Sequence, residues 1–459
     1  MSLPDSAARL SRRRFLLAAA GTSAAVALAS ALSGCGPGLP QAGGTTASTA
    51  STPAAQAGPG GFNGGGSLKL LLRAHFVPAY DKWMDQWAAD WGARNKVEVQ
   101  VDHILAGELA AKIAAEVAAS AGHDIYGLTR TGEAPLYNKQ LVDVSDIARQ
   151  VGDQHGGWIP LGEQVGLVDG VWKAVPEYFV DYPGLYRKDL FDDNGLNPPD
   201  TWPDLRKAGA LLKSKGFPIG IAVNQKSNDA NASWNGLLWS YGASTVAADG
   251  KTVALNSPET REALTFAVDL YQSAMTNAVL SWDDTGNNLL LASGTGSWIQ
   301  NPISALRTIE KETPDLAKKI FLSNPPAGPK GRHMPVAVNS FGIASWSSNV
   351  PAAKAFLTSY YQILAEGIRA SEGYNQPLLK DFRKKPMPIL GEDPKLELLQ
   401  DFDQFAHVAG WPGPPSAAAG EVESNWIVPL MVARAAQDGN VDGAVEWATQ
   451  KVEAIYARH

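Results

Sequence analysis

The chain has 459 residues, 39 Lys+Arg against 46 Asp+Glu, a net charge of −7 and one cysteine. At about 150 residues per domain this length predicts roughly three domains, or two large lobes with extras, and it suffices for a core without disulfides or metals. A single cysteine excludes an intramolecular disulfide and any Cys-based zinc or iron–sulfur site, and the acidic balance, with no run of five or more Lys/Arg, argues against a nucleic-acid or acidic-membrane partner. Trp (14) outnumbers Phe (13) and Tyr (12), an excess that asks for an explanation.

The chain opens with Ser11-Arg12-Arg13-Arg14-Phe15-Leu16-Leu17, a twin-arginine pattern, followed by an uncharged Ala-rich stretch from Phe15 to Leu32. Its Ala/Gly/Ser content and basic flank fit the apolar region of an export signal better than a spanning helix. It ends at Leu32-Ser33-Gly34-Cys35, which resembles the bacterial lipobox. That resemblance implies cleavage before Cys35, acylation of its sulfur, and residence on the extracytoplasmic face of the bacterial cell membrane after Tat export. From Gly36 to Gly66 the chain is Gly, Ala, Pro, Thr and Ser with almost no large apolar side chain except Phe62. Such a segment buries too little to offset its ordering entropy and reads as a flexible tether.

The remainder alternates strand and helix patterns. Ser67–Leu72 is a short apolar strand. Asp81–Asn95 carries Trp83, Trp87 and Trp91 on one helical face, which assigns all three to a core. Val97–Val101 alternates as a second strand, Glu108–Ala119 is a helix with Leu109, Ile113 and Val117 at four-residue spacing, and Asp124–Thr129 reads as a third strand. The succession βαβαβ predicts a parallel sheet with helices on its faces. Further on, Thr201 can cap a helix with Asp204 three residues later, and Asn256-Ser257-Pro258-Glu259 places a capping residue before a Pro at the first helical position.

The middle of the chain carries a family pattern. Asp169-Gly170-Val171-Trp172-Lys173-Ala174-Val175-Pro176 leads through Leu185-Tyr186-Arg187-Lys188-Asp189-Leu190-Phe191 to Pro198-Pro199-Asp200-Thr201-Trp202-Pro203. Val253–Pro258, Ser293-Gly294 through Asn301-Pro302, Asn339-Ser340-Phe341-Gly342, Ala352–Leu357 and the final Asp442–Ile455 helix follow in order. Across roughly residues 67–459 the chain resembles the extracellular solute-binding proteins of sugar ABC importers, the maltose-binding-protein-like group. Arg187 stands where that group usually has asparagine, and Ile303 and Ser304 stand where a stacking aromatic follows the strand, which argues against an oligomaltoside ligand. The resemblance implies an α/β, two-lobed periplasmic-binding-protein type II fold with a multi-crossing hinge. The expected organisation is a signal peptide at 1–34, lipidated Cys35 and tether at 35–66, N-lobe at 67–180 and 335–402, and C-lobe at 181–334 and 403–459. Expected partners are a small carbohydrate, the ABC permease subunits and, through the anchor, the membrane, with no nucleic acid and no cofactor.

Enzyme and nucleotide motifs are weak. Gly250-Lys251-Thr252 mimics the end of a P-loop, but position 245 is Thr and a strand follows, so a hairpin turn is expected. The seven histidines show no i,i+3 or i,i+4 pair, so no metal site is expected from local spacing. Asp192-Asp193 and Asp283-Asp284 read as solvated turns, and no Gly-x-Ser-x-Gly elbow is present. A secreted carbohydrate-active enzyme with carboxylates distant in sequence, and the same receptor fold with a non-sugar solute, stay as alternatives.

A sugar receptor needs aromatic faces for stacking and polar side chains for hydroxyls, in a cleft between domains. Loops after strands supply His75, Phe76, Arg130 and Glu133 as candidates. The resemblance adds Glu177, Tyr178 and Asp181 at the first crossover, Asn301 after a C-lobe strand, Asn339 at a second crossover and Trp426 near a stacking position. Trp234, Tyr374 and Trp411 are aromatic candidates in loop-rich contexts, whereas Trp298 is assigned to the core.

Overall fold

The computed structural model describes residues 62–224 and 228–459. The twin-arginine segment, Cys35 and most of the Gly/Ala/Pro/Thr segment lie outside the described residues. In chain order the elements used below are β1 (Ser67–Arg73), α1 (Pro78–Asn95), β2 (Glu98–Ile104), α2 (Ala106–Ala119), β3 (Ile125–Leu128) and α3 (Glu133–Leu136), then β4 (Val175–Val180), β5 (Gly184–Arg187), α4 (Trp202–Ser214), β6 (Ile219–Gly220), α5 (Asn228–Ser240), α6 (Pro258–Ala274) and β7 (Trp298–Gln300). They continue with β8 (Ile320–Ser323), β9 (Met334–Pro335), β10 (Ala337–Ile343), α7 (Val350–Gln362), β11 (Gln376–Pro377), β12 (Ala406–His407), α8 (Ala417–Ser424), α9 (Ile427–Asp438) and α10 (Val441–Tyr456).

The first lobe is built on a six-stranded sheet of order β11-β4-β10-β3-β1-β2. Leu68, Leu70, Leu71 and Leu72 give β1 buried side chains on both faces, as a central strand covered on two sides requires. β1 pairs parallel with β2 and β3, but β10 runs antiparallel to β3 and β4. The parallel arrangement expected of the βαβαβ stretch is present in β1, β2 and β3, and the sheet as a whole is mixed because β10 re-enters from the second lobe and reaches it from the hinge side. The Trp face of α1 packs against α7, with Trp87 and Trp91 at 4.7 and 5.2 Å from the Phe356 ring. Phe62, at the end of the segment read as a tether, stacks on Trp91, and Gly65 N–H donates to Asn95 O.

The second lobe carries a four-stranded sheet of order β8-β5-β7-β6. Thr201 caps α4 in a full capping box with Asp204, and Ser257 caps α6 by accepting Thr260 N–H, with Pro258 as its first residue. Trp202, Trp234 and Trp298 are wholly buried among the leucines of α4, α5 and α6. Arg187 is nearly buried, and its guanidinium grips Asp189 and the Gly294 carbonyl. The 250–252 segment is a turn closed by Asp249 and by the antiparallel Val246–Val253 bridge.

Three passages join the lobes: residues 181–183 between β4 and β5, the run from β8 through β9 into β10, and the run through β12 to α8. β9 and β12 form their own parallel pair, Met334 opposite Ala406 and Pro335 opposite His407. Beside it His333 Nδ1 and His407 Nε2 lie 2.9 Å apart, with Trp411 stacked 4.3 Å from the His407 ring. Among the described residues no helix is long and apolar enough to cross a membrane.

Candidate functional site

The C-terminal ends of parallel strands leave backbone and side chains facing outward at the sheet edge, the usual ligand side of such sheets. Here β1 ends in Arg73 and turns through Phe76, and β3 leads to Thr129 and Arg130; all four line a cavity between the lobes. The opposite wall comes from the start of α5 (Asn228, Asp229, Asn231), from Asp284 and Asn288, from Asn301 after β7, and from Glu423 of α8. Tyr182, Pro335 and Val336 from the passages form the floor, with Tyr374 beside them. The space amounts to about 850 Å³ and opens to solvent.

The two walls differ in hydrogen-bonding character. Arg73 lies over the Phe76 ring at 4.9 Å and donates Nη2–H to the Tyr178 hydroxyl at 3.4 Å, while its Nε–H has no partner. Among the described residues no carboxylate forms an ion pair with it. Arg130 donates Nη1–H to Ser424 Oγ across the cleft at 2.5 Å. On the facing wall Asp229 Oδ2 accepts from Asn287 and Asn301 amides at 2.9 and 2.7 Å. Burial, and then the charge of Asp284, push the Asp229 carboxyl well above the usual carboxylate range. Asp284 accepts Asn228 N–H at 2.6 Å and Asp229 N–H at 3.3 Å, so it sits on the exposed donors at the N-terminus of α5. Asn301 Oδ1 is buried with no partner. A ligand hydroxyl, which both donates and accepts, can be met by guanidinium donors from one wall and carboxyl or amide oxygens from the other. The face of Phe76 (38% exposed) supplies apolar surface between them, while Tyr374, also in the lining, is almost wholly buried.

Of the residues singled out by sequence, Phe76, Arg130, Asn301 and Tyr374 line this cavity. The others lie elsewhere. His75 is buried behind Phe76, with Nε2 2.9 Å from Asn375 Oδ1, and burial next to Arg73 holds its imidazole down at about 3, hence neutral. Glu177 accepts the hydroxyls of Tyr80 and Tyr360 at 2.5 and 2.7 Å, and burial pushes its carboxyl up to about 7. With Tyr178 and Asn339 these two line a small inner cavity that backs onto Arg73, so they support the cleft wall from behind. Glu133 is buried and accepts Thr129 and Arg130 N–H at 2.8 and 3.0 Å, fixing the loop that carries Arg130. Asp181 is wholly buried in the first passage, neither carboxyl oxygen has a partner, and burial raises it to about 8.

The expected cleft tryptophans are placed otherwise. Trp234 is wholly buried and donates Nε1–H to Ala222 O at 2.7 Å, because its context is the interior of α5 and not a loop. Trp411 packs on the His333–His407 pair, and Trp426 is the residue preceding α9, with φ of +49°; neither lines the cavity. Cys35 lies outside the described residues. Asp284, read as part of a solvated turn, instead holds the start of α5, and Arg73, Tyr182, Asp229 and Glu423 went unmarked. Only Arg73, two residues before a marked His at a strand end, carried a signal that could have found it.

The architecture has close counterparts among solved structures. A sugar transporter protein of Arthrobacter chlorophenolicus with bound laminaribiose superposes with a TM-score of 0.74 at 17% identity, over 84% of this chain and 99% of that one. A maltose-bound T. maritima protein gives 0.73 at 19% identity, over 85% and 100%. An ABC transporter solute-binding protein of Agrobacterium radiobacter in complex with ribitol gives 0.72 at 20% identity, over 86% and 99%. Among curated proteins none matches significantly. The two lobes, their three connections and the cleft between them thus form a two-lobed periplasmic-binding-protein fold, and residues 73–362 match the model for bacterial extracellular solute-binding proteins, the family to which this chain belongs.

Proposed function

We propose that the chain is the lipid-anchored, sugar-capturing component of an ABC importer, which encloses a sugar or sugar-like polyol between its lobes and hands it to the permease without chemical change. The observation that carries this reading is the split cleft wall, guanidinium donors on one lobe and carboxyl and amide acceptors on the other, with the exposed Phe76 ring between them. The sugars and the polyol bound in the structural counterparts agree with it. The Ser11–Leu17 pattern and the Leu32–Cys35 motif support Tat export and acylation of Cys35. Two acyl signals hold a protein on a bilayer where one does so only reversibly.

The test is calorimetry and thermal shift over neutral mono- and disaccharides and their alditols, with each compound recovered and analysed afterwards. Binding near micromolar affinity, about −8 kcal/mol, with the compound unchanged is the expected result. No binding by any member would overturn the sugar reading, and product formation would favour a carbohydrate-active enzyme. For the anchor, Cys35→Ser is expected to move the protein from the membrane fraction to the medium and to abolish palmitate labelling.

A further inference from the structure

On the rim of the cleft, beside the Arg130–Ser424 hydrogen bond, the two lobes meet backbone against backbone. Gly132 precedes α3 in the first lobe and Gly420 lies inside α8 in the second, and a Cβ built on either glycine would stand 3.0 Å from the other's Cα. On Gly132 it would also meet Ser416 O at 2.8 Å. Neither glycine is demanded by its own conformation. Gly132 has φ of −82°, open to any residue, and Gly420 is interior to a helix, where glycine is less favourable than alanine. The only feature that needs both to lack a side chain is the contact between the lobes.

Both sides of the contact are stiff. Glu133 holds the 129–130 backbone, and Ser416 caps α8 by accepting Ala419 N–H. Ser424 Oγ accepts from Arg130 and donates to the Gly420 carbonyl, tying the cleft-lining guanidinium to the helix that makes the contact. We propose that Gly132 and Gly420 are positioning residues for solute capture: their bare backbones let the lobes meet at the rim, and this completes the cleft wall at Arg130. The inference rests on the receptor reading above.

It is tested in the full chain carrying Cys35→Ser, by X-ray scattering beside circular dichroism. Gly132→Ala with Gly420→Ala puts a Cβ on each side of the contact, 3.0 Å from the other's Cα, and is expected to keep its circular dichroism and show a larger radius of gyration than the parent, which should scatter as the structure does. Gly132→Leu with Gly420→Leu should enlarge it further. A folded Ala pair or Leu pair as compact as the parent would overturn the proposal. If the Leu pair fails to fold, the Ala pair alone decides. Neither arm uses a sugar, so a failed sugar panel beside an expanded Ala pair overturns the sugar reading and leaves the closing contact standing.

Discussion

At the scale of single residues the tryptophan excess separates from the cleft. Trp202, Trp234 and Trp298 are wholly buried, the three of α1 pack on α7, and no tryptophan lines the cavity. Its aromatic lining is Phe76, which is exposed, with Tyr182 and Tyr374, which are buried. Composition counts rings but does not place them, and a Trp in a polar-looking stretch such as Asn231–Asn235 is turned inward by the helix it sits on. Replacing Trp234 by Ala should therefore cost about 3–5 kcal/mol, from the lost burial and the cavity left behind, with no direct effect on the cleft. Phe76→Ala should leave stability within about 0.5 kcal/mol and weaken sugar binding about tenfold through lost stacking. Urea denaturation read beside calorimetry with the sugar panel separates the two, and a Phe76→Ala variant that binds as the parent does would remove Phe76 from the site.

At the scale of elements the sequence was legible wherever local chemistry decides. The βαβαβ start, the Trp face of α1, the capping box of α4 and the Ser257 cap each follow from spacing over a turn or two, and each is present. The cleft was less legible, because Arg73, Asp229, Asp284 and Asn301 come from a strand end, a helix start, a turn and a second strand end, and only the tertiary fold brings them together. Nor does local pattern distinguish a polar residue facing a ligand from one in an inner network. Glu177 of β4 shows this: it sits at the crossover, yet it binds Tyr80 and Tyr360, and Arg73 is the charge near it. With its pKa raised from 4.5 to about 7, the folded state keeps a proton that the unfolded chain loses, so its contribution to stability falls as pH rises across that window. His407 acts with opposite sign. Burial and the neighbouring His333 lower it from 6.5 to about 4, so its contribution is present above the unfolded value and lost as pH falls towards 4. Glu177→Gln should accordingly gain stability relative to the parent between pH 4.5 and 7, by up to about 3 kcal/mol, while His407→Gln should lose the acid-side decline. Melting temperature against pH for the three proteins checks this, and parallel curves for parent and Glu177→Gln would refute the assignment.

At the scale of the whole molecule the question is whether the lobes behave as two bodies or one. The larger apolar cluster does not stop at the first lobe. It runs from Leu68, Leu70 and Phe341 through Val180 and Tyr182 to Leu185 of β5, Ile299 of β7 and Leu322 of β8. The second lobe's own cluster joins the same sheet from its other face through Tyr186 and Trp298. With three passages and a shared core, loss of one lobe exposes apolar surface of the other, which couples their unfolding. A solute held by both walls then stabilises the common unit by mass action, about 2.7 kcal/mol at a hundredfold excess over Kd. In a molecule of this size that corresponds to a rise of about 3 °C in melting temperature. Scanning calorimetry should show one transition that moves as a whole when a binding sugar from the panel is added. Two transitions, of which the sugar moves only one, would mean that the shared core does not couple the lobes and that the solute is held by a single wall.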